Sequence, residues 1–484
     1  MPVLSHLQPA NVLHYFEELC AIPHGSGNTK AISDYCVHFA RERGLQVWQD
    51  ESNNVVIAKE AAPGYESAPT MILQGHLDMV CEKTPDCGLD LTKDGLRLRT
   101  DGEWVWADGT TLGSDDGIAV AMALAILDDN DLPHPRLEAV FTVDEETGML
   151  GAVALDPSML RGRLLLNVDS EAEGVLTVSC AGGIRANCHV PVEWEAAAGV
   201  LCTLELGGLV GGHSGVEINK GRANSNVLMG RLLYGLSREI PARLVTIQGG
   251  QADNAIARKT TAALLVPAEE AERARALTAS YEAVFRHEYQ TADPEIAISF
   301  ASEPVEQALA LTLAATARVT SALMLLPAGI QSMSMDIPGL VQTSLNMGML
   351  RLEEGEAVAT FSVRSALASE KTMLCNRMEC LASLLGGHVT YSGDYPAWEY
   401  KKDSKLRELV ADTYERQTGK KPVIEAIHAG LECGVLIGKM PDLDCISLGP
   451  DLQEIHTVRE RMNVASVGRT YALVCEVLRR AKEL

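Results

Sequence analysis

Three apolar segments that each end in ionisable residues place the strongest constraint on how this chain folds. Residues 70–76 read TMILQGH, residues 137–146 read LEAVFTVDEE and residues 163–171 read RLLLNVDSE. Near-continuous apolar strands separated by helical segments favour a mostly parallel α/β sheet that is covered on both faces. In such sheets, ligands bind beyond the carboxyl ends of the strands. We therefore expect the charged residues at these strand ends to form one site.

The sequence pattern changes along the 484 residues, a length that favours two or three domains. Residues 187–390 contain glycine-rich turns such as LGGLVGGHSG, a long polar helical segment at 268–290 and alternating strand patterns. The chain after 390 returns to strand–helix–strand patterns. The sequence therefore predicts an α/β domain built from residues 1–186 and 391–484, with an α+β domain inserted at 187–390.

Composition argues against several classes of protein. The formal net charge of −24 disfavours partners such as nucleic acid or anionic membrane, because both require a basic surface. The apolar run GIAVAMALAIL at 117–127 is too short for a membrane span and predicts a buried helix. The N-terminal residues lack the basic region and apolar core of a secretory signal. The 12 scattered cysteines, without a C-x-x-C motif, then predict free thiols in a cytoplasmic protein.

The motif GHLDMV at 75–80 places His76 and Asp78 two residues apart at a strand end, where both can lie on one side of the backbone. A histidine that binds a metal usually donates its other ring N–H to a carboxylate or carbonyl, and Asp78 is suited to that role. The alternative is a surface histidine beside a solvated aspartate. The hexapeptide alone does not decide between these interpretations.

The motif LGSDDGIA at 112–119 places Asp115 and Asp116 directly before the apolar helix. An N-cap is the simplest interpretation, since aspartate and the helix dipole attract each other there. That interpretation accounts well for one aspartate and less well for two. A ligand role for one of them therefore remains open.

The motif VDEETG contains Glu145 and Glu146 after an apolar strand. Adjacent side chains of a strand point to opposite faces, so both can reach one site only where the strand ends. One carboxylate can then bind a cation while its neighbour stays free as a base. The alternative is a solvated turn, which the apolar strand before it disfavours.

Two further donors complete a metal-ligand inventory. Asp169 follows another apolar strand, and His456 lies in the loop GPDLQEIHTVRE. Each is a weak signal alone. Together with His76, Asp115 and Glu146 they offer nitrogen and oxygen donors without a thiolate. This set suits two borderline divalent ions that share a bridging carboxylate.

The order and spacing of these motifs resemble the co-catalytic di-zinc exopeptidases, and within them the aminoacyl-histidine dipeptidase (Xaa-His dipeptidase, carnosinase-like) branch. The resemblance spans essentially the whole chain and rests on GHLDMVCEK, LGSDDGIA, TVDEETGMLGA, NVDSEAEG, GGHSGVEINKGRAN and a late GP…H. It implies a discontinuous di-zinc exopeptidase catalytic domain, with a mixed, mostly parallel sheet flanked by helices, plus an inserted α+β lid domain.

The resemblance also implies metal-binding roles. His76 and Asp169 would bind one ion, and Glu146 and His456 would bind the other. Asp115 would bridge the two ions. It further implies a cis peptide bond after the bridging residue. Zinc is the expected metal, with manganese or cobalt as alternatives.

The same resemblance assigns catalytic and substrate-binding roles. Asp78 would orient the metal-binding histidine, Glu145 would be the general base that takes a proton from a metal-bridging water, and His213 in GGHSG would stabilise the oxyanion. Substrate contacts are implied for three residues of the inserted domain or of the HAG motif: Asn254, Arg364 and Gly430.

These roles imply metal-dependent hydrolysis of dipeptides, with a preference for unblocked Xaa-His substrates, by a cytoplasmic enzyme that forms a homodimer. The alternatives on the same scaffold are an N-acyl amino acid deacylase and a tripeptide aminopeptidase. A non-catalytic metal-binding protein is a third hypothesis, which the complete set of ligands and the base disfavour. The sequence departs from the expected pattern at Asp116, where we expect a neutral residue, and at TVRER after His456, where relatives tend to have Ser-Pro.

Overall fold

The computed structural model describes residues 2–484 and comprises two compact units. The first unit contains the chain up to Cys180 together with Trp398–Ala426 and Leu431–Leu484, and the second contains Ala181–Ala397 and Ile427–Gly430. The boundaries predicted after 186 and after 390 fall inside the strands Gly182–Pro191 and His388–Tyr395. These strands pair with each other in the sheet of the second unit, so the structure moves both boundaries outward to the strand ends.

The described residues contain eleven α-helices. They are α1 (Ala10–Cys20), α2 (Lys30–Glu42), α3 (Ser114–Asp128), α4 (Leu150–Ala154), α5 (Ser225–Glu239), α6 (Ala271–Glu288), α7 (Leu313–Leu325), α8 (Ala368–Leu384), α9 (Lys405–Thr418), α10 (Glu432–Lys439) and α11 (Val464–Arg479).

The same residues, 2–484, contain twenty-three β-strands. They are β1 (Gln46–Gln49), β2 (Val55–Lys59), β3 (Met71–His76), β4 (Leu98–Thr100), β5 (Trp104–Ala107), β6 (Leu137–Thr142), β7 (Leu164–Asn167), β8 (Val175–Cys180), β9 (Gly182–Pro191), β10 (Trp194–Gly207), β11 (Gly212–His213), β12 (Arg243–Gly249), β13 (Ala255–Ile256), β14 (Thr260–Val266), β15 (Ala297–Leu311), β16 (Gly329–Met333), β17 (Val341–Leu352), β18 (Glu356–Ser365), β19 (His388–Tyr395), β20 (Val423–Ile427), β21 (Asp444–Ser447), β22 (Leu452–Gln453) and β23 (Arg461–Asn463).

The main sheet of the first unit has the strand order β1-β2-β6-β3-β7-β21-β8-β20. Its central pairs β6–β3, β3–β7 and β7–β21 are parallel, whereas β1–β2, β2–β6 and β21–β8 are antiparallel. β3 and β6 are buried along their whole length, as expected for strands covered on both faces. The predicted mixed α/β fold is confirmed, and the three parallel pairs lie next to one another in the sheet.

The apolar run at 117–127 lies inside α3, which packs against β3 and α1. Every residue from Gly117 to Leu127 is buried, which explains why the run lacks a polar face. The amphipathic segments near the N-terminus form α1 and α2, and the apolar run VVIAK forms β2.

The second unit is built on a nine-stranded sheet with the order β15-β10-β14-β12-β17-β18-β9-β19, in which β16 also pairs with β17. Its pairs are antiparallel. Helices α5, α7 and α8 pack on this sheet and enclose an apolar core that includes Leu345 and Phe361. This is the α+β arrangement that the resemblance implies for the inserted domain.

Among residues 2–484, no helix combines the length and the apolar character that crossing a bilayer requires.

Truncation of Leu345 tests the core of the second unit. Its side chain is 0% exposed, so we expect Leu345→Ala to lower the free energy of unfolding by about 2–5 kcal/mol, because it leaves a cavity among packed side chains. The matched control is Leu384→Ala, since Leu384 is 78% exposed and should change stability by less than about 0.5 kcal/mol. Urea denaturation followed by circular dichroism measures both, and equal effects would contradict the core assignment.

Candidate metal and active site

Parallel pairing brings the charged strand ends together in the first unit. β3 and β6 run in register so that His76 pairs with Thr142, and β7 lies parallel on the other side of β3. Residues 144–146 follow β6, and Asp169 follows β7. All of these residues therefore lie at one edge of the sheet, as the sequence predicts.

The carboxylate of Asp115 lies between two imidazoles. Its Oδ1 is 3.1 Å from His76 Nε2, and its Oδ2 is 3.1 Å from His456 Nε2. On the first side, Asp169 Oδ1 lies 3.7 Å from His76 Nε2. On the second side, Glu146 Oε1 lies 2.9 Å from His456 Nε2. The structure thus places each oxygen of one carboxylate beside a different histidine–carboxylate pair.

The donor atoms fit a divalent metal in their chemistry and spacing. Glu146 Oε1 is buried and lacks a hydrogen-bond partner among the described residues, although His456 Nε2 is 2.9 Å away. A close approach without hydrogen-bond geometry suits two ligands of a shared ion. Three sets of donor atoms lie within 4.8 Å of one another: Asp115, Glu146 and His456; His76, Glu145 and Glu146; and His76, Asp116 and Asp169.

Asp78 connects the histidine at the end of β3 with the turn after β6. Its carboxylate accepts hydrogen bonds from the backbone N–H of Glu145 at 3.0 Å and of Glu146 at 3.3 Å, and from Ser26 Oγ at 2.8 Å. His76 Nδ1 lies 2.9 Å from the backbone carbonyl of Asp78 and 3.4 Å from its carboxylate. Asp78 therefore contacts the ring of His76 through both its backbone and its side chain.

The segment at the start of α3 has an unusual backbone. The peptide bond between Asp115 and Asp116 is cis, as the resemblance implies. Asp116, where the resemblance leads us to expect a neutral residue, is buried, and its Oδ2 accepts a hydrogen bond from the His76 backbone N–H at 3.2 Å. A methyl group at Gly75 would come within 2.6 Å of the same oxygen, so this close approach requires glycine.

The environment of the cluster lowers the pKa of one of its acidic groups and raises the pKa of others. Burial would raise the pKa of Asp115, but hydrogen bonds from His456 and His76 hold it below its ordinary value. Burial, with neighbouring negative charge, holds the pKa of Asp116 and of Asp169 well above the ordinary value. The protein therefore concentrates more negative charge here than its own histidines neutralise, which favours a bound cation.

Glu145 combines burial with a raised pKa. Burial, reinforced by the negative charges of Glu432, Glu146 and Asp115, raises its pKa to about 8, while His76 opposes the shift. A carboxylate with a pKa near neutrality can both accept and return a proton, which is the property of a general base that later acts as an acid.

Two buried acids close to the site are not among the residues predicted from the sequence. Glu432, at the start of α10, accepts hydrogen bonds from Thr142 Oγ1 and Gln74 Nε2, both at 2.6 Å. Glu460 accepts hydrogen bonds from the backbone that leads into α3. Neither has a local signal in the sequence, because an acid at a helix start or in a polar loop ordinarily indicates a cap or a solvated turn.

The second unit contains His213, whose tautomer follows from its hydrogen bonds. The backbone N–H groups of Gly215 and Val216 both donate to His213 Nδ1, each at 3.2 Å. Nδ1 is therefore the acceptor, and Nε2 carries the proton. Burial, with the nearby charge of Arg364, lowers the pKa of His213. The ring is thus a neutral donor through Nε2.

Three buried polar atoms of the second unit lack a hydrogen-bond partner among the described residues: Ser214 Oγ, Arg364 Nε and His428 Nδ1. Arg364 donates through Nη1 to Tyr395 at 2.9 Å, and the other ring nitrogen of His428 lies 2.8 Å from Ser344 Oγ. Burial and the charge of Arg364 lower the pKa of His428 to about 4, so its ring is neutral. His213 and His428 both lie close enough to Arg364 for its charge to lower their pKa.

The remaining predicted substrate contacts also belong to the second unit. Asn254 is exposed, and its carbonyl accepts the N–H of Ser214 at 2.8 Å. Gly430 ends the short segment Ile427–Gly430, which includes His428.

Comparison with known proteins gives consistent results. The sequence profile of Peptidase family M20/M25/M40 matches residues 72–480. The cytosol non-specific dipeptidase of Escherichia coli (strain K12) is 37% identical over 483 residues, which cover 99% of this chain and 99% of that protein.

Comparison with solved structures also finds peptidases. The aminoacylhistidine dipeptidase from Vibrio alginolyticus has a TM-score of 0.93 and 36% identity, over 98% of this chain and 97% of that chain. A tripeptidase from Staphylococcus aureus has a TM-score of 0.56 and 17% identity, over 99% of this chain and 100% of that chain, a likeness that concerns the fold alone.

Titration of His456 tests the electrostatics of the cluster in protein freed of metal by chelation. Its hydrogen bond with Asp115 and the close negative charge of Glu146 raise its pKa from 6.5 to about 10. A raised pKa stabilises the folded state below pH 6.5, and this contribution is lost as the pH rises through about 10. We expect Asp115→Asn to lower the pKa, as measured by NMR of the ring protons. Asp94→Asn, which removes an exposed charge, is the control; an unchanged His456 pKa in Asp115→Asn would contradict the assignment.

Proposed function

This chain belongs to peptidase family M20/M25/M40, and from that premise we propose that it is a metal-dependent dipeptidase that prefers unblocked Xaa-His substrates of the carnosine type. The prediction that the chain is a hydrolase of peptide bonds is confirmed by its family. The observation that carries the proposed metal dependence is the position of Asp115, with one carboxylate oxygen beside each of two histidine–carboxylate pairs.

We assign two divalent ions to this cluster, with zinc expected and manganese or cobalt as alternatives. His76 and Asp169 would hold one ion, Glu146 and His456 would hold the other, and Asp115 would bridge them. When bound, such ions polarise a carbonyl and lower the pKa of water. The buried, unpartnered Glu146 Oε1 and the excess of carboxylates support this assignment.

Glu145 is proposed as the general base, and Asp78 as the residue that orients His76. Glu145 would accept the proton of the attacking water on its carboxylate and then donate it to the departing amine nitrogen. Its backbone N–H donates to Asp78, so the same side chain that contacts the histidine ring also positions the base. Bound cations would bring the pKa of Glu145 down from about 8, which favours the ionised form that a base requires.

The second unit supplies the proposed substrate contacts. Arg364 is buried, with Nε free for a further acceptor, and carboxylate is the ligand that a guanidinium binds best. We assign to it the C-terminal carboxylate of the dipeptide, with Asn254 and Gly430 as further contacts. From the resemblance, His213 is proposed to stabilise the oxyanion, a role that suits a neutral donor at Nε2.

The preference for histidine is the finest part of the proposal. It is supported by the similarity to the aminoacylhistidine dipeptidase from Vibrio alginolyticus, whereas the Escherichia coli relative is named a non-specific dipeptidase. We also propose a cytoplasmic location, from the free cysteines and the name of the Escherichia coli relative, and a homodimeric assembly, which rests on the resemblance alone.

A substrate panel tests the function. The chelated protein is reloaded with Zn²⁺, Mn²⁺ or Co²⁺ and incubated with β-Ala-His, Gly-His, Gly-Leu, an N-acetylated amino acid and a tripeptide. We expect metal-dependent cleavage of the free dipeptides, with Gly-His hydrolysed faster than Gly-Leu, and no activity after chelation. Equal rates for Gly-His and Gly-Leu would contradict the histidine preference. Cleavage of the acetylated substrate alone would indicate a deacylase, faster cleavage of the tripeptide would indicate an aminopeptidase, and no cleavage would indicate a binding protein.

Replacement of the base separates chemistry from metal binding. We expect Glu145→Gln to lower kcat by about 100- to 10,000-fold, because it removes proton transfer, while both metal equivalents remain bound. Asp144→Asn is the matched control: it removes the same charge one residue earlier, at a side chain that accepts the Gly27 N–H at 2.6 Å. Its kcat should stay near that of the wild type. A Glu145→Gln variant with undiminished kcat would refute the assignment.

A further inference from the structure

Glu460 lies four residues after His456, in the connection between β22 and β23. This is the TVRER segment in which the sequence departs from the expected Ser-Pro. Glu460 is 3% exposed, so its carboxylate is buried. Burial of a charged group is costly unless hydrogen bonds replace its hydration.

The side-chain hydrogen bonds of Glu460 come from the segment that carries Asp115, the proposed bridging ligand. Oε2 accepts the backbone N–H of Leu112 at 2.8 Å and of Gly113 at 3.1 Å. Oε1 accepts the N–H of Ser114 at 2.8 Å, its hydroxyl at 2.6 Å and, more distantly, the N–H of Asp115 at 3.5 Å. One carboxylate therefore binds four consecutive residues.

These N–H groups lie at the start of α3 and just before it: Leu112 and Gly113 precede the helix, and Ser114 and Asp115 are its first two residues. N–H groups at a helix start have no partner inside the helix. Its N-cap residue, Gly113, has a left-handed conformation with φ of 67° and provides no capping side chain. Glu460 therefore serves as a cap supplied from 346 residues away in sequence, and its negative charge also suits the helix dipole.

The loop that carries His456 is held by its own contacts. Thr457 Oγ1 donates to the Glu454 carbonyl at 2.7 Å and accepts the N–H of Arg459, whose guanidinium pairs with the Glu454 carboxylate at 2.7 Å. On the far side, β23 pairs with β5, the strand that precedes the 112–115 segment. Glu460 completes this set of contacts, since its side chain joins the loop that carries His456 to the backbone of residues 112–115.

We propose that Glu460 is a positioning residue of the metal site. It holds the 112–115 segment against the His456 loop, so that the carboxylate of Asp115 lies with one oxygen toward each histidine. The inference rests on the proposed function, because it takes Asp115 and His456 as metal ligands. It also gives the TVRER segment, which stands where relatives tend to have Ser-Pro, a role in the geometry of the metal site.

A control variant, Glu138→Gln, distinguishes an effect on metal binding from a general loss of folding stability. Glu138, at the amino end of β6, is also a buried carboxylate that accepts backbone N–H groups, those of Arg161 at 2.9 Å and of Gly162 at 3.0 Å. Glu138→Gln should destabilise the protein without altering the metal site, because Glu138 lies at the opposite end of its strand from residues 144–146.

The experiment measures Zn²⁺ affinity of chelated protein by competition with a chromophoric chelator, beside thermal unfolding in EDTA. We expect Glu460→Gln to weaken zinc binding by about 10- to 100-fold, as is usual when a residue that orients metal ligands is lost. Glu138→Gln should bind zinc like the wild type while its Tm in EDTA falls. If Glu460→Gln does not fold, Glu460→Asp, which keeps the charge but shortens the reach, should weaken binding in the same direction.

Wild-type zinc affinity in both Glu460 variants, or an equal loss in Glu138→Gln, would overturn the inference. Asp115→Asn distinguishes its failure from failure of the proposed metal site. If Asp115→Asn weakens zinc binding and Glu460→Gln does not, the positioning role alone is wrong. If Asp115→Asn also binds zinc normally, the metal assignment itself is wrong, and the positioning role of Glu460 is wrong as well.

Discussion

Parallel pairing of β6, β3 and β7 is the constraint on which the site of the first unit depends. Parallel strands end at the same edge, and each of these strands is buried and predominantly apolar. The charged residues that follow these strands therefore lie close together without the need for long connecting loops. Covering both faces of the sheet with helices then buries this edge, so that the carboxylates at 144–146 and 169 lose much of their hydration.

Burial of so many acids in one place is unfavourable unless something compensates for it. Within the protein, the imidazoles of His76 and His456 compensate for Asp115, which remains ionised, whereas the pKa of Asp169 and of Asp116 is pushed upward by desolvation and like charge. This imbalance is the physical signature of a cation site: the fold stabilises a cluster that the chain alone does not neutralise. The same imbalance raises the pKa of Glu145 toward neutrality.

Hydrogen bonds from distant segments give the cluster its geometry. Asp78 links the ring at the end of β3 to the backbone of the turn after β6, and Glu460 links the loop of His456 to the start of α3. In the second unit, the position of His213 is likewise set by backbone donors, which leave a defined nitrogen to carry the proton. In each case hydrogen bonds with backbone N–H groups fix the orientation of the side chain.

The sequence by itself determined which strands are buried, where they end and which donor types stand there. These are local properties, set by apolar periodicity and by side-chain chemistry, and they sufficed to predict an α/β sheet and the strand-end cluster that contains His76, residues 144–146 and Asp169. The mixed character of the sheet was implied by the resemblance alone. The tertiary structure alone decided the edges of the two units, the approach of Asp116 to the His76 backbone and the burial of Glu432 and Glu460. Those features depend on pairing between segments far apart in the chain, such as Ser114 and Glu460, and no local pattern records which distant backbone a buried carboxylate will meet.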